Sequence, residues 1–183
     1  MSIPTPKHPV VPWDMVMGRI GGMVHLSAQI ERDLRKAVLR LSRTAPPTGA
    51  GAAQVANIWI DHQSDVAAAR PDHAELLGIA NARINAARQL RNDLIHGLAG
   101  AQADPFGQVG NAGYFIDLPD RPGFIPFAWI DGLLPVMSHL SQIIAFLTDA
   151  TRESDEGLAY RTYQGIRINL LPPLPDGITF VQT

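Results

Sequence analysis

The amino-acid sequence predicts a mainly α-helical single domain, with a β-hairpin between its third and fourth helices and an extended C-terminal tail. Three observations carry that expectation. Long stretches place apolar residues every three or four positions, Pro- and Gly-bearing breaks separate them, and one pair of β-favouring runs flanks a turn composition. At 183 residues the chain suits one domain, 1–183, with the bundle core over 14–150 and 151–183 as a C-terminal extension. A chain of this size buries roughly two-thirds of the surface that its unfolded form exposes.

The first helix is expected over Asp14–Arg43, where Ile20, Met23, Ser27, Ile30, Leu34, Val38 and Leu41 form an apolar stripe. Gly18, Gly21 and Gly22 weaken its first turns by up to about 1 kcal/mol each relative to alanine. Ala45–Gly51, with Pro46 and Pro47, reads as a loop. A second helix is expected over Ala52–Ala69, with Val55, Ile58, Trp59, His62 and Val66 on one stripe, ended by Pro71. Asp72 followed by Glu75 resembles a capping arrangement for a third helix through Leu76, Leu77, Ala80, Ile84, Ala87, Leu90 and Leu94, stopped by Gly97. Ala99–Gly113 reads as an irregular connection. Tyr114–Leu118 and Phe124–Trp129 around Pro119–Gly123 read as the hairpin. Asp131 is expected to cap a fourth helix ending near Ala150. The tail carries a strand-like Gly165–Leu171 and the Pro-rich Pro172–Pro175.

Composition narrows the function classes. The chain has no cysteine, which excludes disulfides, thiolate metal sites and a Cys nucleophile, and fits a reducing compartment, with the cytosol as default. Met1–Pro12 carries four prolines and reads as an extended lead-in rather than a secretory signal. No uninterrupted apolar run approaches the ~18 residues of a membrane-spanning helix, so no membrane association is expected. A formal net charge of -2 is not the signature of a protein that binds long nucleic acid by counterion release. Positive charge is local, at Arg32–Arg43 and at Arg83, Arg88 and Arg91. The first of these stretches reads by default as a solvated face.

One segment points to chemistry: Arg91-Asn92-Asp93-Leu94-Ile95-His96-Gly97. At about 100° per residue, Arg91 falls in the apolar face of the third helix, among Ala80, Ile84, Ala87, Leu90 and Leu94. A guanidinium there calls for a carboxylate, since a buried unpaired charge costs several kcal/mol. Glu31, at the edge of the first helix's apolar face, is the expected partner. His96 lies about 140° around the helix from Arg91, so the two side chains do not easily share a site within one chain. The conflict eases if His96 sits at the helix end, in a cleft completed by a second copy across a two-fold axis.

These residues resemble the Arg-x4-6-His motif of HEPN domains, in which the motif ends a core helix of a four-helix bundle. The resemblance covers Val16–Ala150 as architecture and Arg91–Gly97 as sequence. It implies a HEPN-like bundle and a metal-independent endoribonuclease acting as a homodimer on RNA, without cofactor, as a toxin or defence effector. An antitoxin or regulatory protein would be a further partner. On this reading His96 moves protons at the ribose 2'-OH or the leaving oxygen. Arg91 stabilises the charged phosphorane, Asn92 positions the motif, and Glu31 supports Arg91. Cleavage would leave a 2',3'-cyclic phosphate and spare DNA.

The same residues also admit a non-catalytic reading. Arg91 then ties the first helix to the third through Glu31, His96 merely caps a helix, and the bundle serves dimerisation or the binding of protein, RNA or nucleotide. The remaining histidines offer less. His62 reads as a core or interface residue. Asp61, His62 and Asp65 point in different directions and do not make a metal site. His25, His73 and His139 have no evident partner, and no phosphate-binding loop, zincin motif or nucleophile elbow is present.

Overall fold

The computed structural model describes residues 13–102, 113–117 and 123–171. The expected lead-in Met1–Pro12, most of the Ala99–Gly113 connection, the hairpin tip at 118–122 and Pro172–Pro175 lie outside the described residues.

The long amphipathic stretch forms α1, Trp13–Ser42, which runs unbroken through its three glycines. Its stripe of Val16, Met23, Ile30, Leu34 and Val38 is buried. The helix stops where Arg43 adopts φ 59, with its N–H donating to the Leu39 carbonyl at 2.9 Å. The second expected helix is in fact two, α2 at Ala52–Asp61 and α3 at Ser64–Ala69. The break at His62 and Gln63 re-aims both side chains. Gln63 turns inward, fully buried, and its amide donates to the Trp59 carbonyl at 3.1 Å, while His62 is exposed rather than part of the core.

Pro71 begins the next helix, α4, at Pro71–Gly97. A first-turn proline lacks only an N–H that would have had no intrahelical acceptor. Asp72 and Glu75 do not cap α4 as expected. Both accept from Arg167, at 2.7 and 2.5 Å, because a later helix brings that guanidinium across them.

At the end of α4 the chain turns directly into β1, Leu98–Gln102, within the stretch expected to be irregular. With β2, Gly113–Ile116, and β3, Gly123–Pro126, it makes an antiparallel sheet of order β1-β2-β3, so the expected hairpin is two strands of three. Tyr114 pairs with Ile125 in register, and Gly113 lies opposite Pro126. A methyl at Gly113 would collide with the Ile125 carbonyl and the Phe124 ring.

β3 runs straight into α5, Phe127–Arg152, so Trp129 is helical and Asp131, expected to cap, lies inside the helix. Its carboxylate instead accepts from Arg19 Nε and Nη2 at 2.7 and 2.8 Å, with the guanidinium 4.6 Å from the Phe127 ring centroid. The tail expected as a strand over Gly165–Leu171 belongs mostly to α6, Glu156–Asn169. Asp155 caps it by accepting from the Leu158 N–H at 3.0 Å, and Ala159, Tyr163 and Ile166 bury at helical spacing.

The fold is thus mainly helical, with six helices and one small antiparallel sheet among the described residues. α5 is its centre, packed against α1, α4 and α6. The pairs Arg19–Asp131, Gly22–Leu134 and Arg40–Asp149 show that α1 and α5 run side by side in the same direction. By length and composition α5 is apolar enough to cross a membrane, with a mean hydropathy of 1.4 in its most apolar window. Here Ile130, Leu133, Val136, Met137, Leu140, Ile143 and Leu147 face other elements of the core.

Candidate active site at the end of α4

The last two turns of α4 carry Arg91, Asn92 and His96. Ile84, Ala87, Leu94 and Gly97 are buried, which leaves Arg88 and Arg91 half-buried beside α1. Between the two helices runs a groove of about 150 Å³, with Ser27 and Glu31 on the α1 side, Arg88 and Arg91 on the α4 side, and Leu34 and Ile84 among its apolar walls.

The structure brings Glu31 and Arg91 to one groove but does not join them in the expected ion pair. Glu31 accepts through Oε1 from Arg35, one turn later on α1, at 3.2 and 2.9 Å. Arg35 also donates to the Pro47 and Ala50 carbonyls, which fixes the carboxylate from behind. Arg91 is only half-buried and so keeps access to solvent. Its Nη1 donates to the Asn92 Oδ1 at 3.0 Å. That bond gives Asn92 an evident task, holding the guanidinium.

His96 does not line the groove. It is exposed in the last turn of α4, about 7.5 Å further along the axis than Arg91 at the helical rise. Exposed Ile95 and Leu98 flank it. The angular separation expected from the sequence therefore persists, and within one chain the imidazole and the guanidinium serve different surfaces.

Two of the residues that line the groove each bury a polar atom out of reach of solvent and without a hydrogen-bond partner, Ser27 its Oγ and Arg88 its Nε. Sequence reasoning placed Ser27 on the apolar stripe and Arg88 in a basic cluster, and neither placement signals an unsatisfied donor. A larger cleft of about 360 Å³ lies between α1 and α5, lined by Lys36, Arg40 and Gln142 among others, but none of the motif residues reaches it.

A second polar cluster, which the sequence did not disclose, is sealed in the core. His73 is fully buried, with Nδ1 3.1 Å from the Tyr163 hydroxyl and Nε2 3.1 Å from the Gln63 Oε1. Because the Gln63 amide nitrogen donates to Trp59, Oε1 is the acceptor; Nε2 therefore carries the proton, and Nδ1 accepts from Tyr163. Thr151 also donates to the Gln63 Oε1 at 3.0 Å. Burial, reinforced by the Arg70 charge, lowers the His73 pKa to about 4. The cluster joins the α2–α3 break, the start of α4, the end of α5 and the middle of α6. Its hydrogen-bonded partners lie up to 90 positions apart in the chain, so no local pattern marks it.

Among the described residues no three His, Asp or Glu side chains are grouped as metal ligands. The chain matches no protein-family model, no curated protein and no solved structure. The resemblance to HEPN domains therefore rests on Arg91–Gly97 and on the helical setting of that segment.

Proposed function

We propose that this protein is a HEPN-type, metal-independent endoribonuclease of the cytosol that works as a homodimer, with Arg91 and His96 as its catalytic residues. The observation that carries this reading is the form of the α4 terminus. Arg91 is held by Asn92 at the mouth of a groove, and His96 is exposed one and a half turns beyond it, among exposed apolar residues. A two-fold pairing of α4 ends would bring two imidazoles and two guanidiniums to one cleft. One neutral imidazole takes the ribose 2'-OH proton while a protonated one supplies the leaving oxygen, each worth roughly 10²–10⁴-fold. Arg91 stabilises the charge that develops on the phosphorus oxygens. Glu31 supports the groove wall rather than neutralising Arg91. A toxin or defence role, with an antitoxin or other regulator, is the biological setting this chemistry implies.

A second reading draws on the same separation of Arg91 from His96. A chain that stays monomeric has no composite site and would act as a non-catalytic binding module. One experiment separates the two. Purified protein is incubated in EDTA with a mixed RNA pool and a matched DNA pool, beside His96→Ala, and its mass is measured in solution. Cleavage of RNA alone, lost in the variant and leaving cyclic phosphate ends, supports the nuclease. Intact RNA with a monomeric mass refutes it.

A further inference from the structure

The outer face of α4 leads to His96 through side chains that the proposed mechanism does not use. At about 100° per residue, Asn81, Asn85, Arg88 and Gln89 fall with Asn92 and His96 within roughly 100° of one another, away from the buried Ile84, Ala87 and Leu94. All six are at least partly exposed, and the row rises about 22 Å from Asn81 to His96 at the helical pitch. Hydrogen bonds link its members. Asn85 Nδ2 donates to Asn81 Oδ1 at 3.0 Å, and Arg88 Nη2 donates to Asn85 Oδ1 at 3.3 Å. Further along, Gln89 donates to Asp93 at 2.9 Å, and Arg91, at the edge of the row, donates to Asn92.

The row does nothing evident for the fold. Asparagine is a poorer helix former than the alanine, glutamate or lysine that suits an exposed helical position, and bonds between exposed amides on one helix are weak. The amide hydrogen bonds here run within α4 and tie it to no other element. Between Asn81 and Asn92 this face holds no aromatic or large aliphatic side chain, the anchors on which protein interfaces depend. It holds amides, which donate and accept at once, and α4 carries no carboxylate between Glu75 and Asp93. Such a surface suits a ligand that offers donors and acceptors together and bears negative charge. Unpaired RNA bases present both on their open edges and stack on guanidinium planes. We propose that single-stranded RNA lies along the outer face of α4, with Asn81, Asn85 and Gln89 hydrogen-bonding its bases and Arg88 and Arg91 meeting its phosphates as it approaches His96. The choice of RNA rests on the nuclease reading above. Amides add affinity without positive charge, which fits a chain of net charge -2.

The test uses the full chain carrying His96→Ala, so that no RNA is consumed. Its probe is a labelled RNA of about eight nucleotides, within the ~4–16 that single-strand sites span, followed by fluorescence anisotropy. The single strand is expected to bind at least tenfold more tightly than a duplex of the same sequence. Joint replacement of Asn81, Asn85 and Gln89 by alanine should weaken that binding at least tenfold without lowering the thermal midpoint, because alanine is the better helix former. With two phosphates met, log affinity should fall against log salt with a slope of about -1.4, from roughly -0.7 per phosphate. A slope several times steeper would put the RNA on the basic Arg32–Arg43 stretch and overturn the track. So would equal binding of the duplex, no RNA binding, or binding untouched by the three replacements, the last leaving the face to another kind of partner. Wild-type cleavage keeps the two ideas apart. RNA cut with an unchanged KM when His96 is restored to the triple variant keeps the nuclease and refutes the track. Single-strand binding that the replacements remove, with RNA left intact by the wild type, keeps the track and refutes the nuclease.

Discussion

Acidification should weaken this fold through a single histidine. His73 is neutral in the folded chain, with a pKa of about 4 against an ordinary 6.5. Between those values the unfolded chain binds a proton that the folded chain refuses. Stability is therefore fully present above pH 6.5 and is lost as the pH falls towards 4, below which the loss stops growing. The gap of roughly 2.5 pH units, at about 1.4 kcal/mol each, sets the loss near 3 kcal/mol. That is a large share of the ~5–15 kcal/mol typical of a domain. Protonation would also turn Nδ1 from an acceptor of the Tyr163 hydroxyl into a donor against it. Carboxylates titrate in the same window, so the assay is a comparison. Urea unfolding is followed from pH 4 to 8 for the wild type and for His73→Gln, whose amide can still donate to Gln63 but does not titrate. The wild-type curve should fall more steeply than the variant's below pH 6.5, and a ring titration by NMR should give a midpoint near 4. Parallel curves for the two proteins, or a midpoint near 6.5, would refute a neutral, sealed imidazole.

Other expectations follow from the packing and the proposed chemistry. His96→Ala should lower RNA cleavage about 10²–10⁴-fold while its thermal midpoint stays at the wild-type value, because the side chain is exposed. EDTA should leave the wild-type cleavage rate unchanged. Gly113→Ala, read by chemical denaturation, should cost about 1–3 kcal/mol, since the new methyl meets the Ile125 carbonyl and the Phe124 ring. Met137→Ala, at a fully buried position on α5, should cost about 2–5 kcal/mol by the same assay.

What the sequence disclosed was mostly what local periodicity encodes. The extents of α1 and α4, and the apolar faces of α1, α4 and α5, follow from three- and four-residue spacing, and the β2–β3 pair follows from turn composition. The errors occurred where tertiary partners overrode local signals. Asp131 and Asp72 look like caps, but each is claimed by an arginine more than ninety positions away. Gly165–Leu171 has strand-like composition, yet it is helical as far as Asn169, where Tyr163 and Ile166 bury on one side. His62, expected as a core or interface residue, is exposed because a helix break re-aimed it. At the candidate site the sequence named Arg91, Asn92, His96 and Glu31. It paired Glu31 with Arg91 across helices, which a wheel of one helix cannot establish, although Arg35 four positions on was the neighbour that helical spacing offered. Ser27 and Arg88 were unreadable as orphaned groups, since satisfaction depends on neighbours that only the fold supplies.

The parallel pairing of α1 with α5 matters for the growing chain as well as the finished one. Arg19 meets Asp131, and Val16 receives the Tyr114 hydroxyl, across 112 and 98 positions of sequence. At about 5–20 residues per second of synthesis, α1 waits on the order of ten seconds after emerging before α5 exists to cover it. Throughout that interval the side of α1 that α5 covers faces water even where α2 and α4 can pack on its other sides, so a ribosome stalled before α5 would present an apolar helix face and invite chaperone capture or aggregation.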